Sequence, residues 1–407
     1  MIRKDELERK VVEVEFPDAE TTFHYKFTSL ISGTMRRIRP FFTEQVYVNG
    51  RENLRENSDP DAPAIKGSLL FIIGHESWWD FIDLPPEWST LPRKPMVKVV
   101  ARDDYAHFLP LDYLINKFFS PFTVTIKRTW NMEGLSEEEK EKIRQENNDK
   151  LGSLFNPENI KYDRVIPSES STRKNGAFNK IRSGAWRVSH RVNDGKLEVL
   201  NCVFAGNTLD NMASIPGKHL TFLNIGKTSQ YYPAEYVVGE SEMGYTRKDI
   251  KKFAKEIKDK FVDLHTFTLG QIGGMFILSN SAKANHGFSK YELLTEVKKA
   301  LETLHQVKDD RPMYIDPELG NSDGFDKRFD NFVENLDRNG YTTSASNRKL
   351  YIDKERLLKI PSNKRYKKEN PLRYLTNKFI DVSQERTAIG KIARDVFGFE
   401  VQGYKIS

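Results

Sequence analysis

The pair His75 and Asp80 has the clearest potential for chemistry in this sequence. Both lie in the segment FIIGHESWWDFIDLP (71–85), in which an apolar run ends at Gly74 and His75 follows at once. A histidine at the end of a buried strand lies at the edge of an α/β sheet where sites usually form. If the following loop turns into a helix, Asp80 reaches back to the imidazole, fixes its tautomer and leaves the other nitrogen as a base. The pair is therefore predicted to take a proton from a hydroxyl nucleophile.

Two other interpretations of the same residues stay open at this point. One alternative is a structural histidine at a strand end, since an H-x4-D spacing also arises by chance. Glu76 and Asp83 would allow a carboxylate–histidine metal site. No second histidine follows at ligand spacing until His107, so the sequence predicts no metal.

The segments around the pair resemble those of the PlsC-type glycerolipid acyltransferases. Five blocks occur in the order typical of that family, and the resemblance covers about residues 46–239. The blocks are VYVNGRENL (46–54) with LLFIIGHESWWD (69–80), TVTIKR (123–128), IPSESSTRKNGAFNKIRSGAWRVS (166–189), VLNCVFAGNTLD (199–210) and HLTFLNIGK (219–227).

The resemblance implies acyl transfer from acyl-CoA or acyl carrier protein to a hydroxyl of a glycerol-phosphate acceptor. His75 would be the general base and Asp80 its orienting partner, with no further cofactor. The other implied site residues are Arg128 and Arg173 with Lys127 and Lys174 as ligands of the substrate phosphate, and Glu169 and Ser77 in supporting positions. Ordinary surface charge is the alternative for the two lysines, and a structural ion pair is the alternative for Glu169.

Two departures from the family pattern concern the acceptor. Gly74 stands where the family has an asparagine, and the third block has Ser-Glu-Ser-Ser between Pro167 and Thr172 instead of Glu-Gly. Lysophosphatidate is the leading acceptor, and glycerol-3-phosphate is the alternative. A third possibility is a catalytically weak relative that serves as a lipid-binding or scaffold protein.

The elements that must position these residues alternate between strands and helices, which predicts an α/β fold with a mixed sheet flanked by helices. Helical patterns follow Ser136 and Ser289, each with a capping-box glutamate, and a further helix follows Thr246. Residues 310–345 are predicted to be rich in loops. The predicted strands are 44–48, 68–73, 96–101, 123–127, 163–167, 197–204 and 220–225.

The chain is divided into an N-terminal arm with an amphipathic helix (1–45), an acyltransferase domain (46–240) and a helical C-terminal region with a basic tail (241–407). Apolar residues recur at helical spacing over 27–38, with arginines mostly on the other face. That helix is predicted either to dock on the protein's own core or to lie at a lipid interface.

Composition restricts the possible partners and the compartment. The 407 residues carry a net charge of +6, and residues 341–407 alone carry 15 Lys/Arg against 7 Asp/Glu, a net of +8. A basic tail suits nucleic acid, anionic lipid or an acidic protein, and no nucleic-acid motif accompanies it. Together with the acyltransferase resemblance, the charge favours an anionic membrane surface over nucleic acid. No apolar run approaches membrane-spanning length, no secretory leader is evident, and Cys202 is the single cysteine. The sequence therefore predicts a cytoplasmic protein, peripheral on the membrane and without a transmembrane segment.

Overall fold

The structure is a computed structural model of the 407-residue chain. It describes residues 9–11, 23–76, 80–88, 90–91, 97–102, 123–127, 134–155, 162–169, 173–181, 184–193, 196–231, 247–281, 287–308, 313–344, 349–362 and 366–397.

The strands of the described residues fall into one large sheet and three small ones. They are β1 (Arg9–Val11), β2 (Thr43–Asn49), β3 (Leu69–Ile73), β4 (Val97–Arg102), β5 (Thr123–Ile126), β6 (Asp163–Pro167), β7 (His190–Asn193), β8 (Lys196–Val199), β9 (Asn201–Asp210), β10 (His219–Gln230), β11 (Thr266–Phe267), β12 (Phe288–Ser289), β13 (Tyr314–Ile315), β14 (Thr342–Ser344) and β15 (Lys349–Ile352).

The large sheet has seven strands in the order β2–β10–β9–β3–β6–β4–β5. Neighbours pair in parallel except β9 and β10, which are antiparallel. β2 and β10 therefore run against the other five strands. The small sheets are β1–β8–β7, β11–β13 and β12–β15–β14. Three residues of the predicted N-terminal arm thus form a strand, which pairs with β8.

Helices cover both faces of the large sheet. They are α1 (Phe23–Ile38), α2 (Asp80–Trp88), α3 (Glu137–Gly152), α4 (Gly184–Arg187), α5 (Arg247–Asp263), α6 (Leu269–Ser281), α7 (Lys290–Lys308), α8 (Ser322–Arg338), α9 (Lys354–Leu358), α10 (Tyr366–Glu369), α11 (Pro371–Gln384) and α12 (Ala388–Phe397). The predicted α/β class, with a mixed sheet, an N-terminal helix and a helical C-terminal region, is confirmed.

The central strand β3 shows why this sheet is buried on both sides. All five of its residues are buried, and successive side chains point to opposite faces of a strand. Leu70 and Ile72 join one apolar cluster, whereas Leu69, Phe71 and Ile73 join another. A short, continuous apolar run of this kind is typical of a parallel strand covered on both faces. The predicted strand 197–204, by contrast, is interrupted at Leu200 and divides into β8 and β9.

The prediction of a loop-rich segment over 310–345 is wrong, because α8 occupies residues 322–338 and the strands β13 and β14 lie on either side of it. Asn321 caps this helix by accepting from the Gly324 amide, and the side chains of Phe325, Phe329 and Phe332 are buried. Their spacing of four and three residues places them on one face. Charged residues separate the apolar positions in the sequence, which hid the amphipathic pattern in an otherwise polar stretch.

The C-terminal helices share a core with the large sheet. Met212, two residues after β9, and Phe222, within β10, belong to the same apolar cluster as Leu278 of α6 and Phe379 of α11. Helix α11 is buried along nearly its whole length, including its polar residues. The region after residue 240 is therefore packed against the strand ends and is not an appendage.

Helix α1 lies against α2 and leaves apolar side chains in solvent. Ser32 Oγ donates to the carbonyl of Pro85 over 3.0 Å, and Arg39 pairs with Glu87. Leu30 is 65% exposed and Phe41, just after the helix, is 75% exposed. The helix thus docks on its own protein through polar contacts while part of its apolar surface stays uncovered. No helix among the described residues is long and apolar enough to cross a membrane.

Candidate active site

His75 and Asp80 form a buried hydrogen-bonded pair where β3 ends. His75 lies two residues beyond Ile73, the last residue of β3, and Asp80 is the first residue of α2. The His75 Nδ1 and Asp80 Oδ2 atoms are 3.0 Å apart, and both side chains are buried. The predicted geometry is therefore found. When Nδ1–H donates to the carboxylate, the lone pair of the neutral imidazole is on Nε2.

Asn207 holds the second oxygen of the Asp80 carboxylate. Its Nδ2 donates to Asp80 Oδ1 over 3.0 Å. Asn207 comes from β9, whose Ala205 is the parallel partner of Ile73, so the side chain lies just beyond the end of β3. A Cβ atom on Gly74 would lie 3.0 Å from Asn207 Oδ1 and 3.1 Å from Arg173 Nη2. Glycine at position 74, the departure from the family asparagine, therefore leaves room for these two side chains.

The third sequence block holds the backbone of His75 in place. Its strand, β6, is the parallel neighbour of β3, with Pro167 opposite Ile73. The His75 amide donates to Glu169 Oε1 over 3.2 Å, and the Arg173 amide donates to the His75 carbonyl over 3.2 Å. The position of the imidazole thus depends on residues almost a hundred positions later in the chain.

Arg173 and Glu76 lie at the centre of a fully buried charge network. Arg173 Nη1 is 2.6 Å from Glu76 Oε2, and Arg173 Nη2 is 2.7 Å from Glu169 Oε1. From α11, Lys378 Nζ lies 2.7 Å from Glu76 Oε2, and the Tyr374 hydroxyl donates to Glu76 Oε1 over 2.6 Å. Two carboxylates and two cations therefore compensate each other without solvent, which buried charges require.

The protonation of Glu76 follows from these contacts. Burial alone would raise the pKa of its carboxyl, but the charges of Lys378 and Arg173 and the hydrogen bonds from Lys378 and Tyr374 lower that pKa to about 2. Burial lowers the pKa of Lys378 to about 8, against the opposing effect of Glu76. Glu76 is thus an anion at neutral pH, and its carboxylate contacts Arg173, Lys378 and the Tyr374 hydroxyl.

A second histidine–carboxylate pair anchors the helix that carries Asp80. Asp83, one turn after Asp80, accepts from Thr43 and Thr221 over 2.6 Å each and lies 3.0 Å from His219 Nε2. Burial raises the pKa of Asp83, but the hydrogen bonds and the charge of His219 give a net lowering. These four buried side chains fix α2 to β2 and β10.

One further cation reaches the same region from the C-terminal part of the chain. The Nζ atom of Lys367, in α10, is buried, and the carboxylates of Glu76, Asp80 and Asp83 favour its charged form. The centroid of the Tyr374 ring is 5.9 Å from Nζ.

The structure brings four of the predicted site residues together and places two elsewhere. His75, Asp80, Glu169 and Arg173 share one buried cluster. Lys127 follows β5, three strands from β3 and so roughly 14 Å across the sheet, where it pairs with Glu146 over 3.3 Å. The side chain of Lys174 is exposed. Ser77 and Arg128 lie outside the described residues, so their predicted roles stay predictions.

Arg173 is next to the dyad, but each of its three side-chain nitrogens donates to a carboxylate. Its predicted contact with a substrate phosphate also stays a prediction. In the present arrangement its charge is already compensated by Glu76 and Glu169.

Sequence reasoning missed several residues that meet at this site. Glu76 was considered only as a metal ligand, although its partners are Arg173, Lys378 and Tyr374. Asn207 lay inside the fourth block but had no assigned role. Lys367, Tyr374 and Lys378 are the others, and they lie about 300 positions after His75. Nothing in their local sequence separates them from other helical residues.

No group of three histidine, cysteine or carboxylate residues suited to a metal ion is found in the part of the chain that the structure describes. The two carboxylates of the alternative metal interpretation, Glu76 and Asp83, are engaged by separate partners. Cys202 is buried in β9, and burial raises the pKa of its thiol to about 12.

Among solved structures, the chain bears a weak structural likeness to an acyltransferase. The crystal structure of PlsC, the 1-acyl-sn-glycerophosphate (LPA) acyltransferase from Thermotoga maritima, matches with a TM-score of 0.31 and 12% sequence identity. The match covers 58% of this chain and 83% of that one. A likeness of this size carries no conclusion about activity or residues. No protein-family model and no curated protein matches the sequence.

Proposed function

We propose that this protein is an acyltransferase that moves a fatty acyl group from acyl-CoA or acyl carrier protein to a hydroxyl of a glycerol-phosphate acceptor. The observation that carries the proposal is the buried His75–Asp80 hydrogen bond at the carboxyl end of β3. The ordered sequence blocks around this pair support the choice of reaction.

In the proposed reaction, His75 Nε2 accepts the proton of the acceptor hydroxyl as its oxygen attacks the thioester carbonyl carbon. The new C–O bond forms, the C–S bond breaks, and the departing thiolate takes the proton from the imidazolium. Asp80 stabilises that imidazolium, and Asn207 holds Asp80. No covalent enzyme intermediate is required, because the acceptor supplies the nucleophile.

The remaining residues have positioning or binding roles in this proposal. Glu169 and Arg173 hold the His75 backbone through the contacts described above. Arg128, Lys127 and Lys174 are retained as candidate ligands of a substrate phosphate, and Ser77 as a supporting residue. Lysophosphatidate is the proposed acceptor and glycerol-3-phosphate the alternative.

The proposal includes a peripheral position on an anionic membrane, where a lipid product would be released. The exposed Leu30 and Phe41 flank the exposed Arg36 and Arg37, which gives α1 both apolar surface and positive charge. This combination is typical of helices that lie in a lipid interface. The net charge of +8 in residues 341–407 adds electrostatic attraction.

The test is a transfer assay with radiolabelled acyl-CoA or acyl carrier protein and each of the two acceptors. We expect turnover, and we expect His75→Ala to reduce it by roughly 10²–10⁴-fold because the general base is removed. His305→Ala, on α7, is the matched control and should keep activity. Full turnover of His75→Ala would refute the mechanism. No turnover of the unchanged protein with any donor and acceptor would favour the lipid-binding or scaffold alternative.

A further inference from the structure

The lysine-rich run Lys364–Lys368 does not lie entirely on the surface. Lys368 is exposed, whereas Tyr366 is buried and the Nζ atom of Lys367 is buried as well. Lysine normally buries its aliphatic chain and keeps the ammonium in water. In Lys367 the ammonium is buried, although the residue as a whole is only partly buried. Its charge therefore points into the protein.

Two backbone contacts fix this inward orientation next to the proposed active site. The Tyr366 amide donates to the carbonyl of Lys174, the residue after Arg173, over 3.2 Å. Asn211 Nδ2, just after β9, donates to the carbonyl of Lys367 over 3.1 Å. Lys367 is thus held between the third and fourth sequence blocks, on the side of the dyad.

Within the described part of the chain, Lys367 Nζ has no hydrogen-bond partner. The three carboxylates that favour its charge are each engaged by other groups: Asp80 by Asn207, Glu76 by Lys378 and Asp83 by Thr221. An ammonium has three donors, and leaving them unmet in a buried place is costly. Burial lowers its pKa to about 8, so it is still largely charged at neutral pH. An anionic ligand would satisfy it.

We propose that Lys367 binds the phosphate group of the acceptor beside the His75–Asp80 pair. The inference rests on the proposed function, and it assigns a phosphate ligand outside the five sequence blocks that resemble the acyltransferases. In a glycerol phosphate the phosphate is only a few bonds from the reacting hydroxyl, so its ligand must lie close to the base. In coenzyme A the phosphates are separated from the thioester by the long pantetheine arm, so a cation beside the dyad suits the acceptor.

The charges around the dyad favour Lys367 over the other cations for this role. The guanidinium of Arg173 and the ammonium of Lys378 already contact carboxylates within 2.7 Å. Lys127 is on a strand three positions across the sheet and pairs with Glu146. Lys367 is the cation of this group with donors still available in the part of the chain that the structure describes.

The test compares Lys367→Met with Lys368→Met, the exposed neighbour, in the full chain. KM is measured separately for acceptor and donor. A lost charge-assisted hydrogen bond should raise the acceptor KM about tenfold or more in Lys367→Met and leave its donor KM within about twofold. Lys368→Met should keep both values. An unchanged acceptor KM would overturn the proposal, and so would a rise in the donor KM alone.

A binding measurement separates this inference from the proposed function. Glycerol-3-phosphate and inorganic phosphate should raise the melting temperature of the unchanged protein and of Lys368→Met, and should raise it less or not at all in Lys367→Met. This difference is expected even if no acyl transfer is detected. An equal shift in all three proteins would overturn the phosphate assignment.

A stability control covers the case of a poorly folded variant. Because Lys367 Nζ has no hydrogen-bond partner among the described residues, Lys367→Met and Lys367→Gln should be at least as stable as the unchanged protein without ligand. Marked destabilisation of both would mean that the ammonium has a structural role, which would also overturn the proposal.

Discussion

The strand-end part of the site and its C-terminal part are built in different ways. In the first, His75 and Asp80 are five residues apart and meet because a strand passes into a helix. In the second, Lys378 and Tyr374 reach Glu76 across 302 and 298 positions. The first part contains the proposed chemistry, and the second adds Lys378 and the Tyr374 hydroxyl to Arg173 as the partners of the buried Glu76. Residues that are close in the sequence therefore indicate where the proposed chemistry occurs, but they do not indicate which residues stabilise the buried charges of the site.

The largest expected change in folding stability follows the loss of Lys378. It tests whether the C-terminal part stabilises the site. Lys378→Met should lower the free energy of unfolding by about 3 kcal/mol, because Glu76 then keeps its charge in a buried place with one cation fewer. Urea denaturation measures the change. The control is Lys391→Met, whose side chain is exposed on α12.

A double variant tests whether the stabilising effect of Lys378 depends on Glu76. Glu76→Gln with Lys378→Met should cost less than the sum of the two single changes, because it removes both members of the pair. Additive costs would show that the two side chains stabilise the fold independently.

The next largest effect is the loss of folding stability when Glu76 is protonated in acid. The pKa of Glu76 is about 2 in the folded chain against an ordinary value of 4.5, so its ionised form stabilises the fold above about pH 4.5. That contribution, on the order of 3 kcal/mol, is lost as the pH falls from about 4.5 towards 2. The difference in unfolding free energy between the unchanged protein and Glu76→Gln should therefore shrink over this range. The exposed Glu296→Gln should show no such convergence.

A smaller effect is expected at Asn207, where the two parts of the site meet. Its side chain holds Asp80, and its backbone carbonyl accepts from Lys378 Nζ over 3.4 Å. Asn207→Ala should lower kcat about tenfold through the lost charge-assisted hydrogen bond and leave KM nearly unchanged. Asn201→Ala, at the other end of β9, should leave kcat unaffected. A change in KM alone would argue against positioning of the dyad.

The smallest effect on the folded protein is expected at the exposed apolar residues near α1. Leu30→Ser with Phe41→Ser should leave stability almost unchanged and reduce cosedimentation with anionic liposomes. Tyr291→Ser, which is 74% exposed on α7, is the control for the loss of any large exposed side chain. Equal loss of binding in both would indicate non-specific adsorption.

Local patterns were sufficient to predict the elements that carry the dyad. The five apolar residues of β3 and the capping boxes at Ser136 and Ser289 gave strands and helices close to the observed ones. These features depend on neighbours a few residues away, so a single sequence contains them. The contact between His75 and Asp80 was predictable for the same reason.

The rest of the site could not be predicted, because it depends on tertiary contacts. Lys367 and Lys368 are adjacent and identical in type, yet one ammonium is buried near the dyad and the other side chain is exposed. The contacts that attach α10 to Lys174 and Asn211 lie far away in the sequence. Buried polar residues on α11 likewise resemble an exposed helical face in the sequence.

The long reach of α11 has a consequence for the order in which the chain is synthesised. When translation has passed the fourth block, Glu76 and Arg173 have already been synthesised. Lys378 lies roughly 170 residues after Asn207 of that block, so Tyr374 and Lys378 are synthesised much later. Until the last helices are synthesised, the Glu76 carboxylate has Arg173 as a partner but lacks Tyr374 and Lys378. A chain terminated before α11 would carry the dyad and Arg173 without Lys378 and the Tyr374 hydroxyl, so complete synthesis becomes a condition for a stable site.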